Sequence, residues 1–306
     1  MGDCRMNPPQ KLRTKLEEIR QARRIHGGLL NMWAAALGVR LARLRLPSRR
    51  LRTKFYTTVY GKRYPALDEA ELELPLPEYP SLNALFTRGL RPGLRPIADA
   101  PDGFVCPCDS TVQEVGRIRP GGTLTVKGVE YTLAALLPHV DPAPYAGGHF
   151  GVFFLSPRDC HRVFCPQDGR VEEAVHVPGY RLLVHPPYQR REYPVFELNE
   201  RVILRLSTRA GACALVLVAG WGVGHITLPV DLAFRPRPRQ LLRKTYNPPV
   251  PVRRGEWLAT FELGSTAILL TEPAAELAPV VKPGDAVQYG RPAFAPVRPG
   301  AEIVHP

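Results

Sequence analysis

Proline limits the folding of this 306-residue chain more than any other residue type. Its 34 copies, together with 26 glycines, remove backbone donors and impose turns too often for long uninterrupted helices after the first hundred residues. Short strands joined by turns remain available there. From about Phe104 the apolar or alternating runs have that length: Thr123–Val126, Gly151–Leu155, Val202–Leu206, Cys213–Ala219, Ile226–Val230, Trp257–Phe261 and Ala267–Leu270. Gly220-Trp221-Gly222-Val223-Gly224 suggests a tight bend, since no helix signal follows it. The Arg- and Pro-rich stretch Arg235–Pro251 reads as an exposed, mobile loop.

The N-terminal region differs in texture and in charge. Of 41 Lys/Arg and 28 Asp/Glu, residues 1–63 hold 16 and three, so the formal net charge of +13 is local and the remaining sequence is neutral. Residues 8–63 read as largely helical, interrupted at Gly27-Gly28 and Pro47-Ser48. Leu29, Trp33, Leu37, Leu41 and Leu44 recur at helical spacing, with Arg40, Arg43 and Arg45 off that stripe. An amphipathic basic helix suits a peripheral contact with an anionic membrane surface, and the bland alternative is a stripe packed on the protein's own body. The apolar run Leu29–Val39 is far short of the roughly 20 residues that span a bilayer. Beyond a proline-punctuated stretch, Ser81 is positioned to cap a short helix through Leu82, Leu85 and Phe86.

The six cysteines, at 4, 106, 108, 160, 165 and 213, form no paired C-x-x-C framework and are expected as reduced thiols. Cys106-Pro107-Cys108 with Cys160 and Cys165 lacks matched ligand spacing, so no metal is expected. Nucleic-acid binding is likewise not expected, because no readout motif or clustered stacking aromatics accompany the basic segment.

Leu263-Gly264-Ser265-Thr266, between two strand-like runs, would by composition alone be an ordinary turn. In the block Phe261–Leu270, however, it resembles the LGST self-processing site of phosphatidylserine decarboxylases. Four further blocks follow the family's order: Asn83-Ala84-Leu85-Phe86-Thr87-Arg88 with Leu94-Arg95-Pro96-Ile97, Cys108-Asp109-Ser110-Thr111-Val112 with Lys127-Gly128, Leu155-Ser156-Pro157-Arg158-Asp159-Cys160-His161-Arg162-Val163, and Asn199-Glu200-Arg201-Val202. The resemblance spans roughly residues 50–295.

This resemblance implies a membrane-associated lyase of phospholipid biosynthesis, made as a zymogen, that converts phosphatidylserine to phosphatidylethanolamine. Autocatalytic cleavage between Gly264 and Ser265 would leave a larger chain, 1–264, and a smaller one, 265–306, headed by a pyruvoyl group derived from Ser265. A small glycine leaves its carbonyl open to the serine hydroxyl, which is the physical sense of a Gly-Ser pair there. The pyruvoyl group, the implied covalent cofactor, would form a Schiff base with the substrate amine and withdraw electrons as carbon dioxide leaves. His161 matches the family histidine that assists decarboxylation, and Asp109 matches the aspartate of the maturation triad. Asp159 either orients His161 or caps its local turn. Family members are often dimers, so a homodimer of processed subunits is expected, peripheral to the cell membrane on its cytoplasmic side. The implied fold is α+β, with a basic helical region, 1–63, packed on a mainly antiparallel β body, 64–306, that carries the catalytic site.

One position departs from the pattern. The family commonly has His-x-x-His, whose second histidine activates the serine, whereas this chain reads His161-Arg162-Val163-Phe164. Three readings follow. His225 supplies a substitute base; cleavage proceeds without a full triad, by proximity and strain; or the chain is an unprocessed, non-catalytic lipid-binding relative.

Overall fold

Turn chemistry and apolar alternation set the architecture. The computed structural model describes residues 37–63, 68–182, 184, 194–220, 225–237, 239–262, 265–274 and 277–296. Its strands, in chain order, are β1 (Phe104–Val105), β2 (Ser110–Arg117), β3 (Thr123–Val126), β4 (Val129–Thr132), β5 (His149–Leu155), β6 (Arg162–Phe164), β7 (Gly169–Val177), β8 (Arg201–Thr208), β9 (Gly211–Ala219), β10 (Ile226–Thr227), β11 (Leu242–Val252), β12 (Trp257–Phe261), β13 (Ser265–Thr271), β14 (Leu277–Pro279), β15 (Ala286–Val287) and β16 (Pro292–Pro296). Lys127 and Gly128 both take positive φ, 49° and 79°, which is the backbone a two-residue β3–β4 hairpin requires. Among the described residues after 63, the α-helices are short, of 4 or 5 residues. Leu82–Phe86 starts where Ser81 accepts the Ala84 amide at 3.1 Å, as its sequence predicts.

Eight strands form the central sheet in the order β11-β7-β8-β9-β13-β5-β2-β15, and its paired strands are antiparallel. Mostly antiparallel sheet with few helices is an α+β architecture. The sheet is buried on both faces, so its middle strands are continuously apolar rather than alternating with polar residues. Leu215, Leu217, Ala267 and Leu269 enter one core layer, while Val216, Val218, Ile268 and Leu270 enter the other. A second sheet, β10-β12-β6, runs beside the end of β13 at which Ser265 lies.

Of the basic segment 1–63, the described part begins at residue 37, and Leu29 and Trp33 lie outside it. The helix Arg49–Arg63 packs through the buried Tyr56, whose hydroxyl donates to the Tyr79 carbonyl at 2.7 Å. Tyr56, Leu72, Leu76, Tyr79, Leu85 and Phe86 form a small separate core there. Leu37, Leu41 and Leu44 are 56%, 54% and 58% exposed, so this part of the apolar stripe does not pack on the protein's own body.

One expectation is overturned. Residues 242–252 are strand β11, not loop, paired with β7 at the sheet edge. Prolines 248, 249 and 251 mislead because they fall on an edge strand, where a missing donor costs no ladder bond on the open side. The register also shifts between Thr245 and Val250, which takes up Pro248 and Pro249. Residues 221–224 of the expected glycine bend lie outside the described residues.

Asn199, fully buried, ties the sheet to its covering segment. Its side chain donates to the carbonyls of Leu182 (2.9 Å) and Ala219 (2.8 Å) and accepts the Leu182 amide (3.0 Å). Asn199→Ala strands these buried groups and is expected to lower stability by about 2–3 kcal/mol, read as a fall in the urea unfolding midpoint.

Candidate active site

The residues singled out by sequence converge on one end of the central sheet. Ser265 opens β13 and pairs with Ala219 on one side and Leu155 on the other, so it is strand and not turn. Gly264, the other half of the expected cleavage site, lies outside the described residues. Thr266 pairs with Phe154, and Phe154 with Thr111, so Asp109 lies at the same end, two strands away, roughly 10 Å by strand spacing. The loop leaving β5 carries Asp159 and His161 and leads into β6.

Ser265 is fully buried and its Oγ has no hydrogen-bond partner among the described residues. Thr266 Oγ1, on the opposite strand face, is in the same condition. A buried hydroxyl is costly to leave without a partner.

His161 is also fully buried, and Phe86 lies against it with ring centroids 3.8 Å apart and the ring planes tilted by 43°. Its Nδ1 lies 3.0 Å from the Asp159 carbonyl oxygen. A carbonyl only accepts, so Nδ1 carries the proton and Nε2 keeps a bare lone pair, which has no partner among the described residues. Burial, with a smaller contribution from the Arg88 charge, pushes the imidazole down to about 3, so it is neutral at physiological pH. The Asp159 carboxylate instead accepts the Ser156 amide at 2.7 Å. Of the two roles expected for Asp159, its side chain takes the turn cap, and its backbone carbonyl orients His161.

Asp109 is held by other groups. Arg95 donates to its Oδ2 from Nη2 at 2.8 Å and from Nε at 3.1 Å, and the Tyr289 amide donates to Oδ1 at 2.9 Å. Arg95 also grips Glu71 with two hydrogen bonds, at 3.0 and 2.9 Å. Phe164, where the family commonly has histidine, lies flat on the Tyr289 ring at 3.7 Å. Position 164 therefore adjoins Asp109 through Tyr289, with packing in place of a proton relay. Among the described residues no hydrogen bond joins Ser265, His161 and Asp109 to one another.

His225 is exposed and lines an apolar groove with Ile226, Leu228, Leu232 and Phe234. Its backbone carbonyl accepts the Glu262 amide at 2.9 Å, which brings its segment next to the chain entering β13, whereas its ring makes no hydrogen bond to Ser265. Cys106, Cys108, Cys160, Cys165 and Cys213 are separate buried free thiols; burial pushes Cys160 up to about 11 and Cys106 up to about 12. Phe86, Arg88 and Arg95 went unassigned in sequence, although all three fall within motif blocks that point to this region.

A family model described as phosphatidylserine decarboxylase matches residues 82–295, which classes the chain among the decarboxylases. A phosphatidylserine decarboxylase proenzyme of Anaeromyxobacter sp. (strain K) is 38% identical over 270 residues, covering 87% of this chain and 90% of the relative. Proenzymes of the same description from Halorhodospira halophila and Myxococcus xanthus are 40% and 38% identical, over 74% and 68% of this chain and 75% and 74% of the respective relatives. The chain belongs to the phosphatidylserine decarboxylase family.

The His161 environment has a consequence for stability. In the unfolded chain an imidazole takes up a proton below about pH 6.5, whereas in the folded protein His161 resists it down to about 3. The unfolded state therefore binds more protons between these values, and stability falls as pH drops through that window by up to a few kcal/mol. His161→Gln is expected to flatten this acid-side loss, read as urea midpoints of parent and variant between pH 7 and 4.

Proposed function

We propose that this chain decarboxylates phosphatidylserine to phosphatidylethanolamine, using a pyruvoyl group generated when the backbone breaks between Gly264 and Ser265. The observation that carries this reading is the buried Ser265 hydroxyl without a partner, at the head of a strand paired along both edges. No hydrogen bond among the described residues must be broken before Oγ turns on the preceding carbonyl, and burial excludes the water that would compete with it.

The residues present fit the group. Residue 265 would remain the first residue of β13 after the chain breaks, held by Ala219 and Leu155, so the new terminus is fixed by backbone hydrogen bonds rather than by the lost covalent link. The pyruvoyl group supplies the electron sink for loss of carbon dioxide. His161 handles the proton. Its Nε2 is a bare acceptor; on this reading it takes the Ser265 hydroxyl proton during maturation, and in the working enzyme it must gain a proton before it can return one. Phe86 on the ring face and the Asp159 carbonyl on Nδ1 keep the imidazole in one orientation and one tautomer. Asp109, clamped by Arg95, acts as a positioning group for the Tyr289 and Phe164 wall.

Residues 1–63 form the membrane-contacting region on this reading, and residues 64–306 the catalytic unit. Leu37, Leu41 and Leu44 project from helical residues 37–42 and the turn after them, with the exposed Arg40 and Arg45 nearby, an arrangement suited to an anionic bilayer surface on the cytoplasmic side. No described helix is long and apolar enough to cross a membrane. A second reading, an unprocessed lipid-binding relative, is favoured by the packing of Phe164 where a base is commonly found.

Mass spectrometry of the purified protein separates the two. The decarboxylase yields chains 1–264 and 265–306, the second blocked by a pyruvoyl group, whereas Ser265→Ala gives one intact, folded and inactive chain. A single intact chain from the parent would leave only the second reading. In a time course of cleavage, His161→Gln is expected to slow the reaction about 100-fold or more, and His225→Ala to leave it at the parent rate. The opposite ranking would transfer the base to His225.

A further inference from the structure

A polar cavity of about 340 Å³ opens beside the turn that leads into His161, and its walls include Arg88, Arg95, Asp109, Arg158, Asp159 and Arg291. The carboxylates of this cavity are already engaged. Glu71 and Asp109 are both gripped by Arg95, and Asp159 caps the Ser156 amide. Arg88 and Arg291 are left with no carboxylate partner among the described residues. Arg291 is exposed, and water can solvate it. Arg88 is only 4% exposed, its Nε is buried without a partner, and its terminal nitrogens reach only the backbone carbonyls of Leu85 and Arg158. Carbonyls offer dipoles, not a counter-charge, and a buried guanidinium ordinarily has one.

Arg88 also lies at the chemistry. It follows Phe86, which covers the His161 ring, by two residues, and its carbonyl oxygen is 3.5 Å from the Cys160 sulfur. We infer that this cavity is an anion site, in which Arg88 receives the phosphodiester of the serine phospholipid headgroup, with Arg291 at the mouth. The inference rests on the decarboxylase reading above and adds the group that places the substrate. The phosphodiester is the better occupant than the substrate carboxylate. A guanidinium bound to the carboxylate would stabilise the charge that must disappear on loss of carbon dioxide, and would slow the reaction. The phosphodiester charge is unchanged throughout, so binding it orients the substrate without opposing the chemistry.

Calorimetric titration of the full-length Ser265→Ala protein tests this without any turnover. The probes are sn-glycero-3-phosphoserine, glycerol 3-phosphate, inorganic phosphate and free serine, at one pH and ionic strength. Glycerophosphoserine is expected to bind, glycerol 3-phosphate to bind more weakly, and serine not to bind in the same range; Arg88→Gln in this background should raise the Kd for glycerophosphoserine at least about tenfold. No binding by either organic phosphate, or an unchanged Kd in Arg88→Gln, overturns the site. Inorganic phosphate binding as tightly as glycerophosphoserine overturns its assignment to the headgroup. If Arg88→Gln fails to fold by circular dichroism, Arg291→Gln carries the test, with a two- to fivefold weakening expected and no change overturning the site. Failure of the decarboxylase reading is seen separately, as an uncleaved and inactive parent chain that still binds glycerophosphoserine.

Discussion

β13 is hydrogen-bonded along both edges, to β9 and to β5, and buried on both faces, so residue 265 has almost no freedom to move. A serine on a surface turn would attack its own backbone rarely, because most of its conformations point elsewhere and water competes. Fixing it between Ala219 and Leu155 removes both obstacles at once. The same double pairing explains why a chain broken before residue 265 need not fall apart. Across that point β13 pairs with β9 and β5, β15 with β2, and β16 with β1, so the segment after residue 264 is woven into sheets whose other strands precede it. Sheet pairing would then take over the connecting role of one peptide bond.

The surroundings of Ser265 divide into a dry side and a charged side. His161, under Phe86, belongs to the dry side, where burial keeps the ring neutral and its Nε2 lone pair has no partner among the described residues. Asp109, Arg95 and Glu71 belong to the charged side, and their mutual ion pairs keep both carboxylates from needing a further cation. Arg88 stands at the boundary, its main chain against the His161 turn and its side chain on the cavity wall. Neutral imidazole, compensated carboxylates and a buried guanidinium with no carboxylate partner among the described residues would together make the pocket receptive to an anion while leaving the proton acceptor uncharged.

Much of this was legible in the sequence, for reasons that differ from residue to residue. Cys213–Ala219 and Ala267–Leu270 read as strands because a sheet covered on both faces needs apolar residues at consecutive positions. Ser81 read as a cap because the signal is local, one side chain and an amide three residues on. β11 did not read as a strand, since an edge position and a bulge make three prolines harmless and neither is encoded locally. The site shows the same division. Motif order brought Ser265, His161 and Asp109 to one region, but that Asp109 faces Arg95 and that His161 is a bare acceptor depend on contacts between segments far apart in the chain.

Phe164 shows how packing can occupy the place of a catalytic device without disturbing the fold. A histidine there would need its ring polar atoms satisfied inside a buried wall, and Asp109 would be the natural acceptor. With phenylalanine that demand disappears: the ring lies on Tyr289, the Tyr289 amide holds Asp109, and Arg95 completes the coordination of the carboxylate. The wall is therefore self-sufficient, and nothing in it waits for a proton. Among the described residues, the groups at this end of the sheet that lack partners include the Ser265 hydroxyl, a donor, and His161 Nε2, an acceptor, alongside Thr266 Oγ1 on the opposite strand face. On the decarboxylase reading a proton passes between the first two, buried groups of opposite need, and a bond formed when Oγ turned to Nε2 would relieve both.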